Sequence, residues 1–306
     1  MHQASHARSR AGFTLIELLI VISIIAILAA LLLAGISAVR WRGYDAKEVN
    51  DLKQLEIALN AFKAKYGVYP PSRLVLYPTY SDYTAKVSIC GDAALDFDSY
   101  QIINRIWKNI GAFGYVNWSS TDPKVPATFP RFVILEGDQC LVYFLGGVFD
   151  PSQSGCMGFA PSAKNPTADV FDPKGNVLDR TKLFEFPASR LNTTKNALFP
   201  SFMDNYGQMP YMYFAPGLPG SSTPNTYNTN HTVALGGNSV SPYYQIAGPP
   251  KKYWNPTTFQ IILAGRDGLF GDVGHWDNGS STTDATAAWK DNRTNFSTFV
   301  LAAQAQ

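Results

Sequence analysis

The feature that most constrains this chain is an unbroken apolar run near its start. From Phe13 to Val39 the sequence FTLIELLIVISIIAILAALLLAGISAV carries a single charge, Glu17. Twenty-odd apolar residues are enough to span a bilayer as a helix, so the run reads as a membrane segment. A cleaved secretory signal has a shorter apolar core followed by a small-residue cleavage site. Here the small residue, Gly12, lies before the run, so any processing removes only the leader MHQASHARSRAG. Arg8 and Arg10 in that leader favour its retention on the cytoplasmic side, with the rest of the chain outward, although Arg40 and Arg42 beyond the run blur the charge asymmetry. Glu17 is the anomaly, because a carboxylate inside hydrocarbon is costly and persists where it has a partner, ideally a cation.

After Trp41 helical periodicity continues. Val49, Leu52, Leu55, Leu59, Phe62 and Tyr66 recur at spacings of three or four and form one apolar stripe, as in a helix that packs on something outside the membrane. Helical from Phe13 to Tyr66, this element would be roughly 80 Å long. Gly67 suits its C-terminal cap, and Pro70 and Pro71 prevent continuation. Beyond them come short β-like runs, RFVILEG, CLVYFLGGVF, MPYMYFA and TFQIILAG, set between Gly, Pro and Asn turns. Helix first and strands afterwards argue for an α+β fold, a long N-terminal helix packed on a C-terminal antiparallel β-sheet head that is rich in loops.

The string RAGFTLIELLIVISIIAIL resembles the type IV pilin and pseudopilin signature: a basic leader ending in Gly, then Phe, then Glu five residues into the mature chain, then an apolar helix. That resemblance implies cleavage between Gly12 and Phe13 by a prepilin peptidase, and N-methylation of Phe13. It also implies pairing of Glu17 with the N-terminal amine of a neighbouring subunit during assembly. Many relatives carry a proline about two-thirds along the apolar run; this chain has Ala34 and Gly35 there, and Gly35 offers a softer break. A second block, DNYGQMPYMYFAPG, FQIILAGRDGLFG and DNRTNF in that order, resembles the major pseudopilins of type II secretion. In that family the corresponding strand entry, G-x-D-G turn and C-terminal end together bind calcium. Transferred residue by residue, the ligands are Asp267, Asp291 and Asn292, with main-chain carbonyls near Leu263 and Leu269. The departures are Tyr206 in place of a Trp, Gln208 and Met209 where one Asn is expected, and Asn292 in place of a second Asp.

These readings divide the chain into a leader (1–12), a transmembrane and assembly helix (13–39), an amphipathic helix entering the head (40–71), an inserted loop-rich region (72–200) that could form a sub-domain, and a C-terminal pseudopilin-like sheet with its calcium loop (201–306). The Asp-rich stretch from Asp267 through Asp272, Asp277 and Asp284 to Asp291 also fits a solvated acidic loop. Three cysteines are an odd number without a CxxC pair, which disfavours a thiolate metal site; either one bridge, Cys140 to Cys156, or three unpaired thiols is open. A formal charge of +2 gives no general attraction for nucleic acid. Of the four histidines, His2 and His6 fall in the leader and only His231 and His275 remain; no GxSxG, HExxH or P-loop occurs, and no enzymatic activity is expected. The expected function is a structural subunit of a type IV pilus-like filament or type II secretion pseudopilus. Its partners would be the peptidase, other pilin subunits and an inner-membrane assembly platform. Two alternatives are a minor pilin with a binding head, and a membrane-anchored envelope enzyme or carbohydrate-binding protein in which aromatics such as Tyr243, Tyr244 and Trp254 could stack sugars or a partner chain.

Overall fold

The computed structural model describes residues 13–108, 110, 118, 130–152, 155–159, 181–222, 226–227, 233–235, 238–246, 248, 250–271, 274, 276, 288–297 and 301. The chain divides into two compact units, Met1–Lys47 and Glu48–Gln306. One helix, α1 (Leu15–Tyr66), 52 residues long, contributes to both. It starts with a reciprocal cap: the Thr14 hydroxyl accepts from the Glu17 N–H at 3.3 Å, and the Glu17 carboxylate accepts from the Thr14 N–H at 2.9 Å. It passes Ala34 and Gly35 without interruption, so the softer break does not form. It stops at Gly67, whose φ of +77° and N–H bond to the Lys63 carbonyl at 2.7 Å end the helix as the sequence predicts.

The second unit is α+β. In chain order its elements are β1 (Arg73–Leu76), α2 (Tyr80–Tyr83), α3 (Ala93–Ile106), β2 (Val133–Glu136), α4 (Gly137–Gly146), β3 (Phe149–Asp150), β4 (Gly155–Cys156), β5 (Leu191–Asn192), β6 (Ser201–Phe202), β7 (Met212–Phe214), β8 (Val233–Leu235), β9 (Asn238–Val240), β10 (Tyr244–Ile246), β11 (Lys252–Tyr253), β12 (Gln260–Leu263) and β13 (Arg293–Thr294). Every strand pair described is antiparallel. In place of one broad sheet there are small ones among the described residues. The largest has the order β13-β12-β7, and the others are two-stranded.

That three-stranded sheet is apolar on both faces, because its alternating side chains feed two cores. Tyr213, Ile261 and Leu263 join the larger core with Leu55, Leu59 and Phe62 of α1, while Met212, Phe214 and Ile262 face a second one with Tyr243, Phe270 and Trp276. The region from 72 to 200 supplies Leu74, Ile103, Tyr143 and Phe199 to the larger core and so belongs to the same body as the C-terminal sheet.

The run CLVYFLGGVF corrects the strand expectation. Its first seven residues lie in α4, buried on every side, and only Phe149 at its end is in a strand. Helices apolar all round lose the periodicity that would betray them. The start of α4 is fixed by a capping box between Glu136 and Gln139. Its ends need glycine. A Cβ on Gly137 would lie 1.8 Å from the Tyr213 carbonyl oxygen, and one on Gly147, at φ +84°, would lie 2.2 Å from the Gly158 backbone.

Candidate functional site

At its N-terminal end α1 presents an apolar surface that its own chain does not cover. Phe13 is 82% exposed, and leucines and isoleucines from Leu15 to Leu32 are exposed on all sides of the helix. Leu15–Leu32 is long and apolar enough to cross a membrane. Glu17 sits in the first turn, and both the N–H and the hydroxyl of Thr14 donate to its Oε2 at 2.9 Å. Its Oε1 takes no hydrogen bond from the described residues. Gly12 lies outside those residues, as do His231, His275, Asp272, Asp277 and Asp284.

Further along, α1 turns from apolar to charged. Within the second unit its Glu48 is fully buried, accepts from the Asn205 N–H at 3.4 Å, and pairs with Arg293 at 3.9 Å. Asp51 Oδ2 receives three donors: Arg190 at 2.7 Å, the Asn205 amide at 2.8 Å and the Tyr211 hydroxyl at 3.2 Å. Arg190 also donates to the Met203 carbonyl at 2.9 and 2.7 Å and lies over the Phe202 ring. Nothing in the sequence singled out Arg190. The only signal was that Glu48 and Asp51 flank the apolar stripe, close to Val49 and Leu52.

The same loop meets the candidate calcium residues. Asp204 accepts from the N–H groups of Gln208 at 2.9 Å and Met209 at 3.2 Å; burial pushes its carboxyl up, and those N–H bonds act against the shift. Gln208 in turn abuts Gly268, where an added Cβ would meet its Oε1 at 2.3 Å. Gly265 and Gly268, both at positive φ, bracket the turn Gly265-Arg266-Asp267-Gly268. Asp291 caps that turn by accepting from the N–H groups of Arg266 at 2.7 Å and Asp267 at 3.1 Å. Asp267 and Asp291 are therefore neighbours, as the resemblance implied. Burial raises the Asp267 carboxyl, and the adjacent Asp291 charge adds to the rise. Asn292 points inward: its Nδ2 donates to the Tyr243 hydroxyl at 2.9 Å and the Phe270 carbonyl at 3.0 Å. Its buried Oδ1 has no hydrogen-bond partner among the described residues. Two adjacent carboxylates and an unsatisfied amide oxygen are the donor chemistry a hard cation takes. No cluster of three or more acidic, His or Cys ligands occurs among the described residues, so main-chain oxygens and water would have to complete the shell.

Cys90, Cys140 and Cys156 are all free thiols. At the end of α4 a Cβ on Gly146 would lie 2.8 Å from Cys156 Sγ. Cys140 lies six residues earlier, about 9 Å down the helix axis and on another side of it. The Cys140–Cys156 bridge weighed from sequence spacing is not formed in this structure. Burial raises both thiols, Cys156 to about 12, and keeps them protonated.

The arrangement at the N-terminus is that of a membrane-anchored chain, with one helix among the described residues long and apolar enough to span a bilayer. Residues 7–33 match the family model described as the prokaryotic N-terminal methylation motif, which with the apolar helix is consistent with a type IV pilin-like or pseudopilin protein. No curated protein and no solved structure matches the chain.

Proposed function

We propose that the chain is a structural subunit of a type IV pilus-like filament or type II secretion pseudopilus. In this reading a prepilin peptidase cuts after Gly12, Phe13 becomes the methylated N-terminus, and an inner-membrane platform stacks the subunits by their apolar helices. One observation carries the reading: none of the window Leu15–Leu32 is buried within the chain, and it lies inside the methylation motif with no proline or charge after Glu17. Such a surface is stable only in lipid or against copies of itself. Glu17 supports the second destination. Thr14 occupies one carboxylate oxygen, and the other is available to the amine of a neighbouring subunit, which meets the demand for a counter-charge in an apolar bundle.

Replacing Glu17 by Ala leaves enough apolar length to anchor the chain, so membrane content stays at the wild-type level while filament incorporation falls. Wild-type incorporation by Glu17→Ala would remove the pairing role. Gly12→Val accumulates uncut precursor, read by mass spectrometry, and normal mature protein in that variant would remove the cleavage step.

The same reading assigns calcium to Asp267, Asp291 and the Asn292 Oδ1, where it would neutralise two adjacent carboxylates and hold the 265–268 turn to the C-terminal segment. At free calcium near one hundred times its dissociation constant, the head gains about 2.7 kcal/mol, a shift of several degrees. Equal melting temperatures in calcium and in chelator reject the site. A shift that survives Asp267→Ala places the ion elsewhere.

A further inference from the structure

Immediately after the apolar run, within the first unit, α1 carries a cationic and aromatic cluster that the assembly reading leaves unused. Arg40, Trp41, Arg42 and Lys47 are exposed and Tyr44 is half-buried. The Arg40 guanidinium donates to the Tyr44 hydroxyl through Nε at 3.2 Å and Nη2 at 3.1 Å, and its carbon lies 5.6 Å from the ring centroid. Lys47 Nζ lies 5.8 Å from the same centroid, and Trp41 meets it edge-on at 6.0 Å. At about 100° per residue, Arg40, Tyr44 and Lys47 fall within about 60° of one another, Trp41 adjoins them, and Arg42 lies on the opposite side. Two cations two turns apart are thus held on one helix face by a single tyrosine, with a tryptophan beside them. A membrane-water boundary is where such side chains settle, with rings in the headgroup layer and long cationic stems reaching its phosphates.

We propose that this face, Arg40, Tyr44 and Lys47 with Trp41 beside it, binds the phosphate of an anionic lipid at the membrane surface. Tyr44 acts as a positioning residue: it sets both cations toward one phosphodiester, where an isolated Arg or Lys would sample many rotamers. The inference rests on the membrane anchor in the proposed function and not on filament assembly. It also accounts for cations just past the apolar run, which the leader's own positive charge made unexpected.

The test is native mass spectrometry of the full chain, released from neutral detergent in the presence of equimolar phosphatidylglycerol and phosphatidylcholine. The wild type retains phosphatidylglycerol in preference. Arg40→Gln and Lys47→Gln each lower that preference about fivefold, the equivalent of one juxtamembrane charge. Tyr44→Phe lowers it less, and Arg42→Gln least. Equal retention of the two lipids by the wild type overturns the proposal. So does an Arg42→Gln loss as large as that of Arg40→Gln, since charge alone would then suffice. Unchanged lipid preference in Lys47→Gln together with shortened filaments also overturns it and reassigns the face to a subunit contact. The same spectra give the mass of the trimmed chain, so a failure of the anchor and processing reading is seen separately.

Discussion

The two halves of α1 are one helix in two different solvents. Before Lys47 its large apolar side chains are exposed, and among the described residues only Thr14 satisfies Glu17. After Glu48, Leu52, Leu55, Leu59 and Phe62 are buried in the chain's own core and two carboxylates are held by arginines. The difference teaches where each half finds its stability. One is completed by this chain, and the other needs lipid or further copies.

The sharpest way to break that contrast is a pair of truncations. Phe62→Ala should cost the head about 3–5 kcal/mol, roughly 10 °C in melting temperature, whereas Ile25→Ala should change head melting by less than about 0.5 kcal/mol. Comparable losses would mean that the inner half also packs within the chain. Next in size is Arg190→Ala, which leaves Asp51 half-buried without its cation and should cost about 2–4 kcal/mol in chemical denaturation. Adding Asp51→Ala should recover part of that loss, and strict additivity would show that the pair is not coupled.

The smallest expected effect concerns Glu56, which faces the groove beside Asn295 and whose carboxyl is raised by burial. A raised acid holds its proton longer in the folded state. Its contribution therefore declines as pH climbs from the unfolded carboxylate range, near 4.3, through the folded value, and stays as a fixed penalty above both. Glu56→Gln should stabilise the head by about 0.3 kcal/mol at pH 7, after discounting for solvent screening, with the gain vanishing below about pH 4. Melts across that range decide it, and a gain that persists in acid would exclude ionisation as the cause.

Much of α1 was legible beforehand, because periodicity, the Gly67 cap and the following prolines act locally. So were β7 and β12, whose apolar runs are bounded by turn residues. α4 was not, since burial on every side erased its period, although Glu136 and Gln139 at capping-box spacing were a visible cue. α3 also went unread, despite its Asp92 cap and the apolar spacing of Leu95, Ile102 and Ile106. At the candidate site, the meeting of Asp267 with Asp291 followed from the resemblance. The inward turn of Asn292 and the grip of Arg190 on Asp51 depend on contacts across more than a hundred residues or on side-chain direction, which no local pattern records.

The Arg190 pin and the apolar stripe of α1 also have a mechanical consequence. A pull along the helix axis loads Asp51, Leu52, Leu55, Leu59 and Phe62 together, because they lie along the direction of force and grip the head over several turns. Contacts strained in parallel yield together at high load, while contacts peeled one at a time yield in sequence at low load. The head should therefore resist traction through its N-terminal helix far better than the same force applied across α1, a directional toughness that melting temperature does not measure.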